Sequence, residues 1–283
     1  MRLRSLLGIA LAALVLSGCA DEPESESPGP KPSAPPTAQG VRLPPEKAVL
    51  DYQLGAAYPP PGGVTLVVRD STAEPAPGLY SVCYVNGFQS QPGERDVWLT
   101  ERAHLVLKDS SGKPVNDPKW PDEFLLDTST PAARGELAAI FGATVDRCAA
   151  KGFQAVEIDN LDSFLRSDGR LTADDNLAYA KALADRAHGK GLAIGQKNSA
   201  EQAARGRSEV GFDFAVTEEC HRWSECSSYT GVYGTHVLDI EYTDDLRGTF
   251  RDVCADPETP ATTTLRDRLL VAAGGRDYAF DHC

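Results

Sequence analysis

Residues 152–164 read GFQAVEIDNLDSF. The run 153–159 has the composition of a strand and ends on acids, Glu157 and Asp159; Asn160 and Asp162 follow in what reads as a turn. Carboxylates crowded at a strand end repel one another, and folding alone does not ask for them. On the N-terminal side, residues 131–151 predict a helix. Thr130 can cap it, Pro131 suits its first turn and Gly152 ends it. Leu137, Ile140, Phe141, Thr144, Val145 and Cys148 fall on one face of that helix. On the C-terminal side, residues 173–189 predict a second helix, with Thr172 as cap, Asp175 three residues on, and a stripe of Leu177, Ala180, Ala184 and Ala187.

This helix–strand–helix unit recurs. Strands are expected at 63–70, 79–86, 104–109, 123–129, 192–198, 212–219, 236–242 and 268–274, with the first folded residues near Ala48. Short helices are expected near 199–208 and 243–253. Such alternation means parallel strands wrapped by helices. Seven or eight strands in one domain favour an α/β TIM-like (β/α)8 barrel as a single domain. An open doubly wound sheet is the rival, but the chain has no GxGxxG or P-loop turn.

In a parallel barrel the C-terminal strand ends share one face, where active sites are built. Here those ends carry Asn86, Asp127, Glu157 with Asp159 and Asn160, Lys197 with Asn198, Glu218 with Glu219, and Asp239 with Glu241. Two carboxylates across a cleft suit glycosidic cleavage, one protonating the leaving oxygen and the other attacking the sugar or activating water. The residues offer Asp159 as one partner and Glu218, Glu219 or Glu241 as the other. No GxSxG elbow points to a serine nucleophile. Lys197 occupies the place of a Schiff-base lysine, but burial among carboxylates would raise its pKa and work against amine nucleophilicity. The aromatic rings of Tyr58 and Trp223 are candidates for stacking on sugar.

The 283-residue chain carries a formal charge of −13. That balance argues against nucleic-acid partners and favours a cationic one. Met1–Arg4 and the short apolar run 5–16 form a signal peptide, too short to span a membrane. Its end, Leu16-Ser17-Gly18-Cys19, resembles a bacterial lipobox, which implies cleavage before Cys19 and a lipid on that sulfur. Residues 1–18 are thus expected to be removed, and 19–45, rich in Pro, Ser and Glu, to be a disordered tether. The folded domain is expected at 46–283, exported and held on the outer face of the bacterial membrane through its lipid alone. Six further cysteines suggest three disulfides. Cys220 and Cys226 enclose a short loop; Cys254 with Cys283 would tie down the C-terminus, leaving Cys83 with Cys148. The spacings are poor for zinc, and neither metal nor cofactor is expected.

The stretches DYQLG (51–55), CYVN (83–86), LLDTS (125–129), KGFQAVEIDNLDSF (151–164), AHGKGLAIGQKN (187–198), FDFAVTEEC (212–220) and IEY (240–242) resemble the endo-α-1,4-polygalactosaminidase family, glycoside hydrolase family 114. The resemblance runs from Asp51 to Cys283. It implies a TIM-like barrel that hydrolyses α-1,4-linked galactosamine polymers, cationic where not acetylated; the protein is separately expected to act as a monomer. By motif, Asp159 would be the nucleophile and Glu218 the general acid/base. Asp51, Tyr84, Asp127, Asn160, Asp162, Lys197, Asn198 and Glu241 would bind the sugar. Two departures stand out: Glu219 where the family usually has an amide-type residue, and CYVNGF where it often has CYFSAG. Strand alternation also pulls against the motif. Phe212, Phe214 and Val216 share a face with Glu218, and if those bulky residues faced the helices, Glu219 would point inward instead.

Overall fold

The computed structural model describes residues 40–283. Nine strands follow one another around a single sheet: β1 (Leu50–Gln53), β2 (Leu66–Asp70), β3 (Tyr80–Asn86), β4 (Ala155–Asp159), β5 (Ala193–Lys197), β6 (Phe214–Glu218), β7 (Val237–Tyr242), β8 (Thr264–Arg266) and β9 (Phe280–His282). Every neighbouring pair from β1 to β8 is parallel, and β9 adds antiparallel to β8. The helices are α1 (Arg95–Thr100), α2 (Pro131–Lys151), α3 (Ala173–Gly189), α4 (Ala203–Arg205), α5 (Cys220–Trp223), α6 (Cys226–Tyr233) and α7 (Phe250–Ala255). This is the barrel expected from the alternation. Both long helices begin and end as predicted. Thr130 Oγ1 accepts from the Ala133 amide and Gly152 closes α2 in the left-handed region, while Thr172 and Asp175 form a capping box on α3.

Two layers of core follow from strand alternation. Leu50, Tyr52, Leu66, Val68, Tyr80, Val82, Ala155, Ala193, Phe214, Val216, Leu238, Ile240 and Tyr242 fill the inside of the barrel. Val156, Ile158, Ile194, Ala215 and Val237 face out onto α2, α3 and α6. The large β6 side chains therefore point inward, opposite to the orientation that would have turned Glu219 to the cleft, and Glu218 shares their face. Room for Phe214 comes from Gly195 next door on β5. A Cβ there would lie 2.6 Å from the Phe214 ring, closer than atoms can approach. The seam between β1 and β8 is bridged by a side chain. Arg266 Nη1 donates to Asp51 Oδ1 at 2.9 Å and to the Tyr52 carbonyl.

Four expected elements are corrected. Runs 104–109 and 123–129 are not barrel strands but meet in isolated antiparallel bridges, Val106 with Leu126 and Asn116 with Phe124 among them. They belong to an excursion, residues 87–130, between β3 and α2, and their Leu105, Val106, Leu107, Phe124, Leu125 and Leu126 are buried. A short apolar run reports burial, and burial in an excursion reads the same as burial in a barrel. Strand β8 lies at 264–266 rather than 268–274, where Leu269 is exposed. Buried Thr262, Thr263 and Thr264 carry this corner, each hydroxyl finding an acceptor in Val237, Asp239 or Asp281. The helix expected from 243 starts only at Phe250, where Thr249 and Asp252 form its capping box. Disulfides join Cys83 to Cys148, Cys220 to Cys226 and Cys254 to Cys283. No helix among the described residues is long and apolar enough to cross a membrane. The signal peptide, Cys19 and most of the tether lie outside the described residues.

Candidate active site

The polar groups inside the barrel meet at Lys197, the last residue of β5. Its Nζ lies 3.1 Å from Glu157 Oε1, 3.4 Å from Asp159 Oδ1, 3.4 Å from Glu218 Oε2 and 3.1 Å from the Tyr52 hydroxyl. It also stands 5.6 and 5.7 Å from the ring centres of Tyr52 and Tyr84. Lys197 is buried, which opposes its charge, yet Asp159, Glu218 and Glu157 together hold its pKa well above the ordinary lysine value. It is an ammonium, and its geometry is that of a fixed counter-charge rather than of an amine nucleophile.

The three carboxylates differ in access. Glu157 is completely buried; Oε1 accepts from the Tyr52 hydroxyl at 2.7 Å, and Oε2 finds no partner among the described residues. Burial and the nearby Asp159 charge outweigh Lys197 and push Glu157 up to about 7. Asp159 and Glu218 sit at the mouth, with side chains 17% and 31% exposed, so a substrate can reach these two and not Glu157. Asp159 Oδ2 accepts from Tyr84 at 2.7 Å, and Oδ1 from the Asn160 amide at 2.7 Å. Glu218 Oε1 accepts from the Tyr242 hydroxyl, and Oε2 from Asn198 Nδ2 at 3.2 Å. Burial alone would raise Glu218, but Lys197 and the hydrogen bonds from Tyr242 and Asn198 more than offset it and hold it below the ordinary carboxylate range.

Local backbone aims these groups. Asn160, Asn198 and Glu219, each following a site residue, all lie in the left-handed region, at φ 66°, 50° and 64°. Asparagine tolerates that region; glutamate does so rarely. The turn at Glu219 is held by Arg268, which donates to both of its carboxylate oxygens at 2.7 and 3.0 Å. Glu219 is thereby committed to an ion pair outside the cluster. Asn198 keeps the strand ends in step: its Oδ1 accepts from the Glu218 amide while its Nδ2 holds the Glu218 carboxylate.

The structure thus brings Asp159, Glu218, Lys197, Tyr84, Asn160 and Asn198 together and places the other expected residues elsewhere. Asp51 points out of the barrel, fully buried, and is consumed by Arg266, Tyr58 and Gln53. Glu241 also points out, accepting from the His221 and Arg222 amides under α5; burial and Asp239 push it up to about 8. Asp127 sits in the excursion and accepts from Ser129. Asp162 is at the rim, tied to Arg166 at 2.8 Å. The Tyr58 hydroxyl is spent on Asp51, whereas the Trp223 ring is exposed. Tyr52, Tyr242 and Glu157 complete the cluster; the sequence marked Glu157 as a strand-end acid but gave it no role, and did not point to the two tyrosines. Their signal was available: they share strand faces with Leu50, Ile240 and Asp159. Cys220, Cys226 and Asp239 have metal-like spacing, but the two sulfurs are bonded to each other.

Parallel strand ends that present two reachable carboxylates on either side of a buried ammonium define a (β/α)8 glycoside hydrolase. The chain belongs to glycoside-hydrolase family GH114, whose family model matches residues 30–283. Its fold is shared with Ega3 of Aspergillus fumigatus, solved in complex with galactosamine, at a TM-score of 0.67 and 20% identity over 88% of this chain and 99% of that one. It is also shared with the glycoside hydrolase domain of PelA from Pseudomonas aeruginosa, at a TM-score of 0.54 and 14% identity over 81% of this chain and 98% of that one. No curated protein sequence matches the chain.

Proposed function

We propose that this hydrolase cleaves within chains of α-1,4-linked, galactosamine-rich polysaccharide, with Asp159 as nucleophile and Glu218 as general acid/base. The observation that carries this is the convergence of Asp159 and Glu218 on one ammonium at 3.4 Å each. Their facing oxygens can be no further apart than twice that distance, a bound that includes the separation typical of retaining enzymes. Family membership and the galactosamine seen with Ega3 support the substrate, as does the −13 charge.

In this reading the sugar lies across the mouth. Asp159, oriented by Tyr84 and the Asn160 amide, attacks the anomeric carbon as Glu218 gives a proton to the departing oxygen; the free site holds Glu218 ionised, so this role requires that a sugar bound across the mouth raise its pKa by shedding water from the carboxylate. Glu218 then takes a proton from the water that releases the sugar from Asp159. Lys197 holds both carboxylates in place and offsets their mutual repulsion. The Schiff-base alternative loses ground because Lys197 is held as an ammonium. Capture of aminosugar without cleavage is the reading that a failed digestion would leave. We further propose that the protein is exported, lipidated at Cys19 and active as a monomer at the outer face of the membrane, with no nucleic-acid partner. Cys19→Ala should release it from the membrane fraction, and retention there would reject the anchor.

The test is digestion of partly deacetylated α-1,4-galactosaminogalactan by residues 40–283, followed by mass spectrometry. Oligosaccharides of several lengths are expected. Asp159→Asn and Glu218→Gln should each reduce release by more than about a thousandfold, with unfolding temperatures within a few degrees of the parent. Near-normal release by either variant removes that residue from its role.

A further inference from the structure

The excursion between β3 and α2 ends in a turn, Trp120-Pro121-Asp122-Glu123, closed by the Glu123 amide donating to the Trp120 carbonyl at 2.9 Å. The turn is pinned from beneath. Asp117 Oδ1 accepts from the Lys119 and Trp120 amides at 2.8 and 3.1 Å, its own amide donates to the Glu123 carbonyl at 3.0 Å, and Asn116 Nδ2 donates to the Pro121 carbonyl at 2.6 Å. It presents two side chains, an exposed indole and a carboxylate bound, among the described residues, only by a neutral amide. Trp120 leaves 57% of its surface in water, where burial would have been favourable. Glu123 is half-buried and has no cationic partner among the described residues, whereas its acidic neighbours Asp117 and Asp162 are both neutralised by Arg166.

Glu123 is wired to the proposed nucleophile. Its Oε2 accepts from Asn86 Nδ2 at 2.9 Å; Asn86 Oδ1 accepts from Asn160 Nδ2 at 2.8 Å; and the Asn160 amide donates to Asp159. The side-chain amides cannot neutralise either acid, so the two like charges lean on each other across a partly dry rim. Burial first, then the charges of Asp159 and Asp117, push Glu123 up to about 7 against the pull of Asn86 and Arg166. A ligand cation set between the turn and Asp159 would relieve that repulsion.

We propose that Trp120 and Glu123 form an aminosugar subsite beside the nucleophile, the indole face stacking on a pyranose ring and the carboxylate receiving a free 2-ammonium. This rests on the reading of the polymer as galactosamine-rich. The subsite selects for deacetylated sugar at that position, because an acetamido group offers no charge to Glu123.

Glu123→Gln keeps the hydrogen bond from Asn86 and removes only the charge. Steady-state kinetics on a fully deacetylated and a half-acetylated α-1,4-galactosamine polymer test it. In Glu123→Gln, KM on the deacetylated polymer should rise about tenfold, a change of about 1.4 kcal/mol, with the loss carried by KM rather than kcat, and the preference for it over the half-acetylated polymer should shrink by the same factor. Trp120→Ala should raise KM on both polymers alike. An unchanged preference in Glu123→Gln, or an equal fall of kcat on both polymers, overturns the subsite while leaving the enzyme's assignment intact. Parent protein that cleaves neither polymer overturns the assignment itself and the subsite with it.

Discussion

Tyr242 is the residue through which the two roles proposed for Asp159 and Glu218 can be told apart. Its hydroxyl donates to Glu218 and is one of the causes that hold that carboxyl below its ordinary range. Removing the donor disfavours the ionised form, so Tyr242→Phe raises the Glu218 pKa. If Glu218 must be protonated to serve the leaving oxygen, the alkaline limb of the kcat/KM–pH profile moves to higher pH. If Glu218 is instead the nucleophile, the acid limb moves. The two profiles, measured on one galactosamine oligosaccharide, decide the assignment, and a profile with neither limb displaced removes Tyr242 from the site. At this scale the sequence was legible where a motif marked a strand end, as at Asp159 and Lys197; at Glu218 motif and alternation pulled apart, and the inward Phe214 and Val216 put Glu218 on the barrel's inner face. The sequence misled where an acid stood beside the residue that mattered. Asp51 drew attention from Tyr52, and Glu241 from Tyr242, one position away on the strand in each case. A carboxylate is the more conspicuous chemistry, but alternation gave the inward face to the tyrosines. The acids went to a buried arginine and to the amides under α5.

Strands β5 and β6 show how an element is tuned to carry the site. Gly195 has ordinary backbone angles, so its absent side chain serves the Phe214 ring and not a turn. Two residues further along the same faces stand Lys197 and Glu218-side Val216. Gly195→Ala should destabilise the domain by about 1–3 kcal/mol through overpacking, read as a lower midpoint in urea unfolding. Phe214→Leu in the same chain should recover part of that loss, because the two changes share one volume. Additive losses in the double variant would show that the ring and the glycine are independent. At the element scale, caps and periodicity were enough to place α2, α3 and six of the barrel strands. The excursion and β8 escaped for opposite reasons. The excursion's apolar runs are buried without joining the barrel, while β8 is only three residues long and is led into by threonines whose hydroxyls find acceptors at Val237, Asp239 and Asp281.

Across the whole molecule, the barrel closes over carboxyls that folding must keep out of water. Glu157 is pushed up to about 7, Asp239 to about 6 and Glu241 to about 8, burial being the first cause in each. Glu123 at the rim is also pushed up to about 7. In the unfolded chain these groups titrate near pH 4. Between that pH and about 8 the folded protein binds more protons than the unfolded one, so stability falls as pH rises. The depressed acids act in another window. Glu218 and the surface groups Asp109, Asp146 and Asp252 lie below their ordinary values, and their contribution is lost only as pH falls beneath about 4. The unfolding temperature should therefore peak in mild acid and drop by several degrees between pH 5 and pH 8 at fixed ionic strength. Glu241→Gln tests the source. It keeps one oxygen to accept from the His221 and Arg222 amides and removes the ionisable group, so the slope on the alkaline side should flatten. A parent curve that rises from pH 5 to pH 8 would mean that these carboxyls are hydrated in solution. The outward strand faces behind the site would then be wetter than their burial in the fold implies.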